Sequence, residues 1–212
     1  MTSLFLNTFC NYLHIALIKD NKLVDQVYES FGRDLSKMAL VKCKELLERN
    51  GLGPNDVENL YVVEGPGSFT GLRVGVTIAK TYAWGLNKDL YALSSLFVMA
   101  TSLDDYDYVI PLIDARRGYV FAGIYDNKGD IVLNDQYISL KDIILKSKEL
   151  KGKVAFVSND LFTDINVIKY VPNLDRTFSM LKCKKVNAFN FVPNYLKKTE
   201  AEENRENDKG SK

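Results

Sequence analysis

The densest cluster of chemically suggestive residues is a glycine-rich loop, EGPGSFTG, at residues 64–71. The loop follows a strand predicted at residues 60–63 and precedes a helix predicted at residues 72–86. A helix that begins there offers unpaired N–H groups and a partial positive charge, and both attract anions. The loop is therefore a candidate anion or nucleotide contact, with Gly65, Gly67, Ser68, Thr70, Gly71 and Arg73 as its residues.

Known phosphate-binding patterns fit this glycine loop poorly. A P-loop, GxxxxGK[ST], has a lysine directly after its last glycine, whereas Leu72 and Arg73 follow Gly71 here. A dinucleotide-binding GxGxxG pattern would need a third glycine where Thr70 stands. A tight connection between strand and helix also explains the glycines, so both interpretations stay open.

The helix predicted at residues 72–86 carries small residues at a spacing of four, namely Gly75, Ala79 and Ala83. This ridge of small residues would let another helix approach closely. Large apolar residues fill most of the other positions, and charged residues are few. A helix that is apolar nearly all round is either central to its own domain or covered by a second protein.

The rest of the chain offers few catalytic groups. His14 is the only histidine, which excludes a His-x-x-x-His metal site or a histidine-based triad within one chain. The cysteines form no CxxC pair, which favours a reducing cytosol over a disulfide framework or a thiolate metal site. Asp114, Arg116 and Arg117 could orient an anionic ligand, but a polar hairpin turn explains them equally well. The cysteines are Cys10, Cys43 and Cys183, the last among Lys182, Lys184 and Lys185, a candidate local RNA patch.

The composition is that of an ordinary globular protein. The chain has 212 residues, of which 46% are hydrophobic and 26% charged, and its net charge of +1 gives no general attraction to nucleic acid or anionic membranes. No stretch approaches the roughly twenty apolar residues that span a bilayer. Asn7, Asn11 and His14 interrupt the apolar N-terminus, which argues against a signal peptide. We therefore expect a cytoplasmic protein without membrane contact.

The predicted elements fall into two halves of similar order, each a strand meander followed by a helix and a buried strand. An aspartate-rich segment at residues 102–107 separates the halves. We predict lobes at residues 1–104 and 105–198, and a polar, disordered tail at 199–212. Strands are predicted at residues 3–6, 13–18, 23–28, 60–63, 90–93, 108–113, 119–125, 131–138 and 154–157, and helices at 35–49, 72–86 and 139–150.

One long segment of the sequence matches a known family signature. Residues 63–75, VEGPGSFTGLRVG, with the AK at 79–80, resemble the GPGSFTGLRIG…AK signature of the bacterial TsaB (YeaZ) family. The resemblance continues through SSL at 94–96, IDARR at 113–117 and PNYLK at 193–197. It therefore extends over most of the chain in the expected order.

This resemblance implies an α/β, actin-like (ASKHA, Hsp70/actin-type) fold of two related lobes and a non-catalytic role. In the family, TsaB is an accessory subunit of the complex that makes threonylcarbamoyladenosine (t6A) on tRNA. TsaD holds the metal and transfers the threonylcarbamoyl group, TsaE joins the complex, and tRNA is bound mainly through the complex. No cofactor is then intrinsic to this chain, and ATP and Mg²⁺ belong to the complex interface or to the partner subunits.

The resemblance also implies where the partner binds. Family members form a heterodimer with TsaD, or a homodimer, through helices of the N-terminal lobe, which correspond to residues 35–49 and 72–86. No catalytic or metal-binding residue is expected in this chain. The expected interface residues are Leu35, Met38, Leu46, Leu72, Gly75, Val76, Ala79, Tyr82 and Ala83.

Two departures from the family pattern weaken the case for independent ATPase or peptidase activity. Asn7 stands where many members have an acidic residue on the first strand, and an amide is a poorer Mg²⁺ ligand than a carboxylate. Residues 32–34 read GRD where many members read His-Ser-Glu. The alternative function is a small actin-like nucleotide phosphohydrolase that uses the loop at residues 65–71.

Overall fold

The computed structural model describes residues 1–10 and 12–197, which form two mixed β-sheets with helices packed against them. Asn11 and the predicted tail at 199–212 lie outside the described residues. Within the described ranges, no helix is both long enough and apolar enough to cross a membrane.

The first sheet is built from the N-terminal half of the chain. It contains β1 (Thr2–Asn7), β2 (Tyr12–Lys19), β3 (Lys22–Ser30), β4 (Asn59–Gly65) and β5 (Asp89–Ser94). These five strands lie in the order β5-β4-β1-β2-β3, with β1 antiparallel to β2 and parallel to β4, and a sixth strand from the end of the chain joins at β5. Helices α1 (Leu35–Arg49) and α2 (Phe69–Gly85) make the crossovers that parallel strands need, and α3 (Ser95–Ala100) follows β5 directly.

Alternation along β2 explains how the first sheet is packed. Leu13, Ile15 and Leu17 lie in the hydrophobic cluster beneath α1 and α2. Ala16 and Ile18, on the other face, lie in the cluster shared with the second half of the chain. Because side chains alternate between faces with a period of two, the middle of this sheet is buried on both sides, whereas the edge strand β3 is largely exposed.

The second sheet repeats the order of the first. It contains β6 (Tyr108–Asp114), β7 (Tyr119–Asp126), β8 (Ile131–Ser139), β9 (Val154–Ser158) and β10 (Ile168–Lys169), with α4 (Leu140–Ser147) between β8 and β9. The strand order is β10-β9-β6-β7-β8. Each sheet therefore places its fifth, fourth, first, second and third strands in the same sequence. The predicted α/β architecture of two related, actin-like halves is confirmed.

Helix ends follow local hydrogen bonding. The Ser139 hydroxyl accepts from the amide of Asp142 at 3.1 Å and so caps the start of α4. Asp34 occupies the N-cap position of α1, but its carboxylate pairs with Lys37 at 3.2 Å and makes no capping bond. Helix α2 begins at Phe69, ahead of the predicted residue 72, because Ser68 caps it.

The last part of the described chain returns to the first sheet. After α5 (Leu174–Ser179), β11 (Lys184–Val186) pairs antiparallel with β5. Phe191, 7% exposed, then enters the cluster beneath α2, and its carbonyl accepts from Nζ of Lys80 at 2.6 Å. The division into lobes at residue 104 stays a prediction, but the C-terminal segment completes the core of the N-terminal half.

Candidate functional site

The glycine loop is packed backbone to backbone against the turn after β1. The amide of Ser68 donates to the carbonyl of Phe9 at 2.7 Å, and the Thr8 hydroxyl donates to the carbonyl of Gly71 at 2.7 Å. A Cβ at Gly67 would lie 2.5 Å from the Phe9 carbonyl oxygen, and one at Gly71 would collide with the Thr8 carbonyl oxygen. The glycines thus permit a close approach of two backbones, as a tight connection requires.

The start of α2 is largely engaged within the protein. The Ser68 hydroxyl accepts from the Gly71 amide at 3.3 Å. The Arg73 guanidinium lies 4.3 Å from the Phe69 ring centroid, and its Nε donates to the Tyr195 hydroxyl at 3.1 Å. The geometry favours a structural junction, and anion binding at this loop stays a prediction. Of the predicted contact residues, Gly65 and Gly71 are buried, Gly67 is partly buried, and Ser68, Thr70 and Arg73 are exposed.

A cleft of about 260 Å³ lies beside the loop, between the two halves of the chain. Two carboxylates line it, Asp114 and Asp160, and none of the described lining residues is a lysine, arginine or histidine. The Asp160 carboxylate accepts from the Asp114 amide at 2.8 Å. A polyphosphate in this cleft would face two negative charges without a cation from the lining. The lining therefore disfavours binding of a free polyphosphate, although the same two carboxylates are ligands that could hold Mg²⁺.

Asn7 closes the turn after β1. Its side chain is buried, with 3% of the residue exposed, and Oδ1 accepts from the amide of Phe9 at 3.1 Å. Asn7 is not among the residues that line the cleft. The Asn7 side chain thus has a structural role at this turn.

Burial favours the neutral forms of the histidine and the cysteines named from sequence. Burial lowers the pKa of His14 to about 4 and raises that of Cys43 to about 12. Burial also raises the pKa of Cys10 and of Cys183. Since the thiolate is the nucleophile, these cysteines are poorly suited to covalent catalysis near pH 7.

The lysines around Cys183 are paired with carboxylates. Lys182 contacts Asp130 at 2.7 Å and Lys184 contacts Glu64 at 2.9 Å. Lys185 pairs with an aspartate of β5 in the same way. Because each positive charge has a nearby counter-ion, the candidate RNA patch predicted here is electrically compensated.

The small-residue ridge of α2 faces the chain's own sheet. Ala79 and Ala83 are 0% and 1% exposed, and a Cβ at Gly75 would collide with Oγ1 of Thr8. The prediction that the ridge itself is a docking surface is therefore corrected, because its small residues bring α2 close to β1 and β4. Of the predicted interface residues, Met38 and Tyr82 are partly exposed, whereas Leu35, Leu46, Leu72, Gly75, Val76, Ala79 and Ala83 are buried.

The outer sides of α1 and α2 nevertheless leave apolar surface open. Leu40 is 59% exposed and Val41 is 45% exposed on α1, and Trp84 is 73% exposed at the end of α2. A groove of about 410 Å³ lies between the helices, and exposed apolar surface of this kind suits a helical partner. We call it the outer α1–α2 groove, lined by Ser36, Leu40, Thr70, Arg73, Val74, Thr77 and Ile78.

This groove was not identified from the sequence because the interface was assigned to the apolar stripe of each helix, which is the buried side. Helical spacing places Ala39, Cys43 and Leu46 on one stripe, and that stripe is the buried one. Leu40 interrupts the polar face opposite. An apolar residue on an otherwise polar face was the available signal.

Comparison with known proteins gives the family context for these features. The family model of TsaD, the tRNA N6-adenosine threonylcarbamoyltransferase, matches residues 27–208. The tRNA threonylcarbamoyladenosine biosynthesis protein TsaB of Bacillus subtilis is 35% identical over 164 residues, 76% of this chain and 72% of that protein. The Haemophilus influenzae protein of the same name is 35% identical over 124 residues, 57% of this chain and 52% of that protein.

A solved structure shares the fold. The crystal structure of a Pseudomonas aeruginosa protein with similarity to peptidase YeaZ has a TM-score of 0.78 with this chain at 20% sequence identity. The superposition covers 92% of this chain and 99% of that chain. Both sheets of the present chain are thus part of a fold already seen in an experimental structure.

Proposed function

Because the chain belongs to the protein family that the TsaD model describes, and within it to the TsaB (YeaZ) proteins, we propose that it is an accessory subunit in t6A tRNA modification. In this role it binds TsaD and supports threonylcarbamoyl transfer without catalysing it. TsaE joins through the complex, and any ATP and Mg²⁺ are held at the complex interface or by the partner subunits.

The observation that carries this proposal is the outer α1–α2 groove. Its apolar lining residues, Leu40, Val74 and Ile78, lie on the adjacent helices α1 and α2. The small residues on the buried side of α2 set the distance of that helix from the first sheet. A partner that lays its own helices against this pair would bury Leu40 and Val74 and form a four-helix contact. A second copy of the chain would use the same groove in a homodimer.

The state of the reactive groups supports a non-catalytic role. The cleft beside the glycine loop presents carboxylates to any anionic substrate. His14 stays neutral near pH 7, since burial lowers its pKa to about 4, and Cys10 stays protonated. These groups are poorly placed for transfer chemistry, which the proposal assigns to TsaD.

The proposal is tested by co-purification of the chain with its cognate TsaD. Leu40→Glu should weaken the complex at least about tenfold, because it buries a charge at the centre of the contact. Leu145→Glu is the matched control, since Leu145 of α4 is 58% exposed against 59% for Leu40. Equal retention of TsaD by both variants would contradict the groove as the interface.

Substitutions on the buried ridge of α2 could not test whether the outer α1–α2 groove is the interface. Gly75→Arg and Ala79→Glu place bulk or charge inside the core, so loss of the complex would follow from loss of the fold. Light scattering on the isolated chain and on the TsaD mixture separates the homodimer from the heterodimer. If Leu40→Glu abolishes both species, one groove serves both partners.

A further inference from the structure

An exposed surface on the second sheet combines aromatic rings with cations. Tyr119 of β7 and Tyr137 of β8 stack with 4.7 Å between ring centroids and 7° between ring planes, and Tyr119 is 41% exposed. Nζ of Lys197 lies 5.2 Å from the centroid of the Tyr137 ring. We call this stack, with Lys197 and the neighbouring Arg116 and Arg117, the aromatic–basic surface.

The turn between β6 and β7 places two arginines beside the stack. The amide of Tyr119 donates to the carbonyl of Arg116 at 3.1 Å, so the turn leads directly into the stacked ring. Arg116 and Arg117 are exposed and have φ angles of +66° and +57°. Left-handed backbone disfavours side chains with a Cβ, and turns of this kind normally use asparagine and glycine. Fold stability alone therefore gives no reason for two arginines here.

The cations of this surface lack carboxylate partners. Among residues 1–10 and 12–197, Arg116, Arg117 and Lys197 form no ion pair. The acids that face the turn are Asp114 and Asp160, and their carboxylates accept from the amides of Arg116 at 2.9 Å and of Asp114 at 2.8 Å. Three cations thus outnumber two carboxylates that are already hydrogen-bonded to backbone.

A second aromatic stack continues the surface towards the glycine loop. Phe69 and Tyr195 stack with 4.1 Å between centroids, and the Arg73 guanidinium lies over the Phe69 ring. Tyr195 and Lys197 are two residues apart, so they are separated by at most about 7 Å of backbone. Residues 195–197 therefore connect the two stacks along the chain.

We propose that the aromatic–basic surface binds single-stranded RNA. Unpaired bases stack on exposed aromatic rings, and guanidinium and ammonium groups contact the phosphates. Because the net charge of the chain is only +1, binding depends on this local arrangement and not on a general field. The choice of RNA as the strand rests on the proposed function.

The test measures fluorescence anisotropy of a short, labelled single-stranded adenylate RNA with the full chain alone at low ionic strength. Tyr119→Leu should weaken binding about fivefold or more, since stacking on an aromatic ring contributes about 1–3 kcal/mol per base. Arg116→Asn combined with Arg117→Gly should lower the slope of log affinity against log salt by about 1.4, the value for two phosphate contacts on a single strand. These turn substitutions suit the left-handed backbone, so the fold is retained.

Lys146→Gln with Lys148→Gln is the matched control, because it removes the same charge at the exposed end of α4, across the sheet from the stacked rings. We expect this control to bind like the wild type. Undetectable binding by the wild type, equal losses in control and arginine variants, or equal affinity for a blunt RNA duplex would each overturn the proposal. TsaD is absent from the assay, so this result is independent of the partner test.

Discussion

Gly75 of α2 packs directly against the Thr8 side chain in the turn after β1. Gly75→Ala should lower the free energy of unfolding by about 1–2 kcal/mol, because the new methyl group overlaps with the buried Thr8 hydroxyl. In a Thr8→Ala background the hydroxyl is gone, and the nearest remaining atom, Cβ of residue 8, lies at 3.5 Å. The same substitution should then stabilise the helix by about 0.5–1 kcal/mol, as alanine does over glycine. Urea denaturation of the four proteins measures this change of sign.

Gly85→Ala is the control for helix propensity, since nothing lies within 4 Å of a Cβ at that position. It should leave stability unchanged or raise it slightly. If Gly75→Ala costs the same with and without the Thr8 hydroxyl, the close contact does not set the position of α2.

His14 is the residue that makes stability sensitive to mild acid. Its ring is 1% exposed, packs against Phe5 and Tyr28, and places Nε2 2.8 Å from Oε1 of Gln26. Burial lowers its pKa from 6.5 to about 4, so the unfolded chain takes up the proton first as pH falls. The stabilisation from neutral His14 is complete above pH 6.5 and is lost as the pH falls to 4, by about 3 kcal/mol in total.

The measurement is the free energy of unfolding between pH 7 and pH 4 for the wild type and His14→Phe. The variant should lose most of the pH dependence in this window, because phenylalanine fills the same buried space without a titrating group. Acidic groups contribute equally to both curves and cancel in the difference. Parallel curves for the two proteins would show that His14 is not the source.

The β6–β7 turn holds Arg116 and Arg117 at positive φ, a conformation that disfavours residues with a Cβ. Arg117→Gly should raise the free energy of unfolding by about 1 kcal/mol, because glycine adopts a positive φ without steric cost. Arg117→Lys keeps both the charge and the strained backbone, so its stability should match the wild type. Thermal unfolding of the two variants separates backbone strain from electrostatics. A stabilising effect of Arg117→Lys would assign the strain to the guanidinium instead.

Elements with a clear period of apolar residues were predictable from the sequence, and elements without such a period were not. The strands of both meanders and α1 follow from alternation and from a single apolar stripe. Helix α3 is buried at every position, so it has no polar face to reveal a helical period. Strands β10 and β11 are too short to alternate, and β11 depends on pairing with β5, about ninety residues earlier in the chain.

The candidate site was only partly predictable for a related reason. The glycine spacing identified a junction between strand and helix, but an anion cradle and a close backbone contact need the same residue type. The choice between them depended on Thr8 and Phe9, which follow the neighbouring strand β1 and are distant in sequence. Likewise, the ridge on α2 indicated close packing without naming its partner, and the chain's own sheet proved to be that partner.

At the scale of the whole molecule, the repeated strand order and the completion of the first sheet's core come from different parts of the chain. The two sheets share one strand order, yet the first also takes β11 and a side chain from the C-terminal segment. The carbonyl of Glu64 accepts from the amide of Asn194 at 2.8 Å, next to the glycine loop. The N-terminal half therefore depends on residues that follow the second sheet, and the outer α1–α2 groove rests on a core that both ends of the chain build.

This dependence predicts a contrast between two phenylalanines in the C-terminal segment. Phe191 is 7% exposed in the core beneath α2, whereas Phe189 is 84% exposed. Phe191→Ala should lower the free energy of unfolding by about 3–5 kcal/mol through lost burial and a residual cavity. Phe189→Ala should change it by less than about 0.5 kcal/mol. Denaturant titration of both variants makes the comparison, and similar small effects would mean that the C-terminal segment does not hold the N-terminal half together.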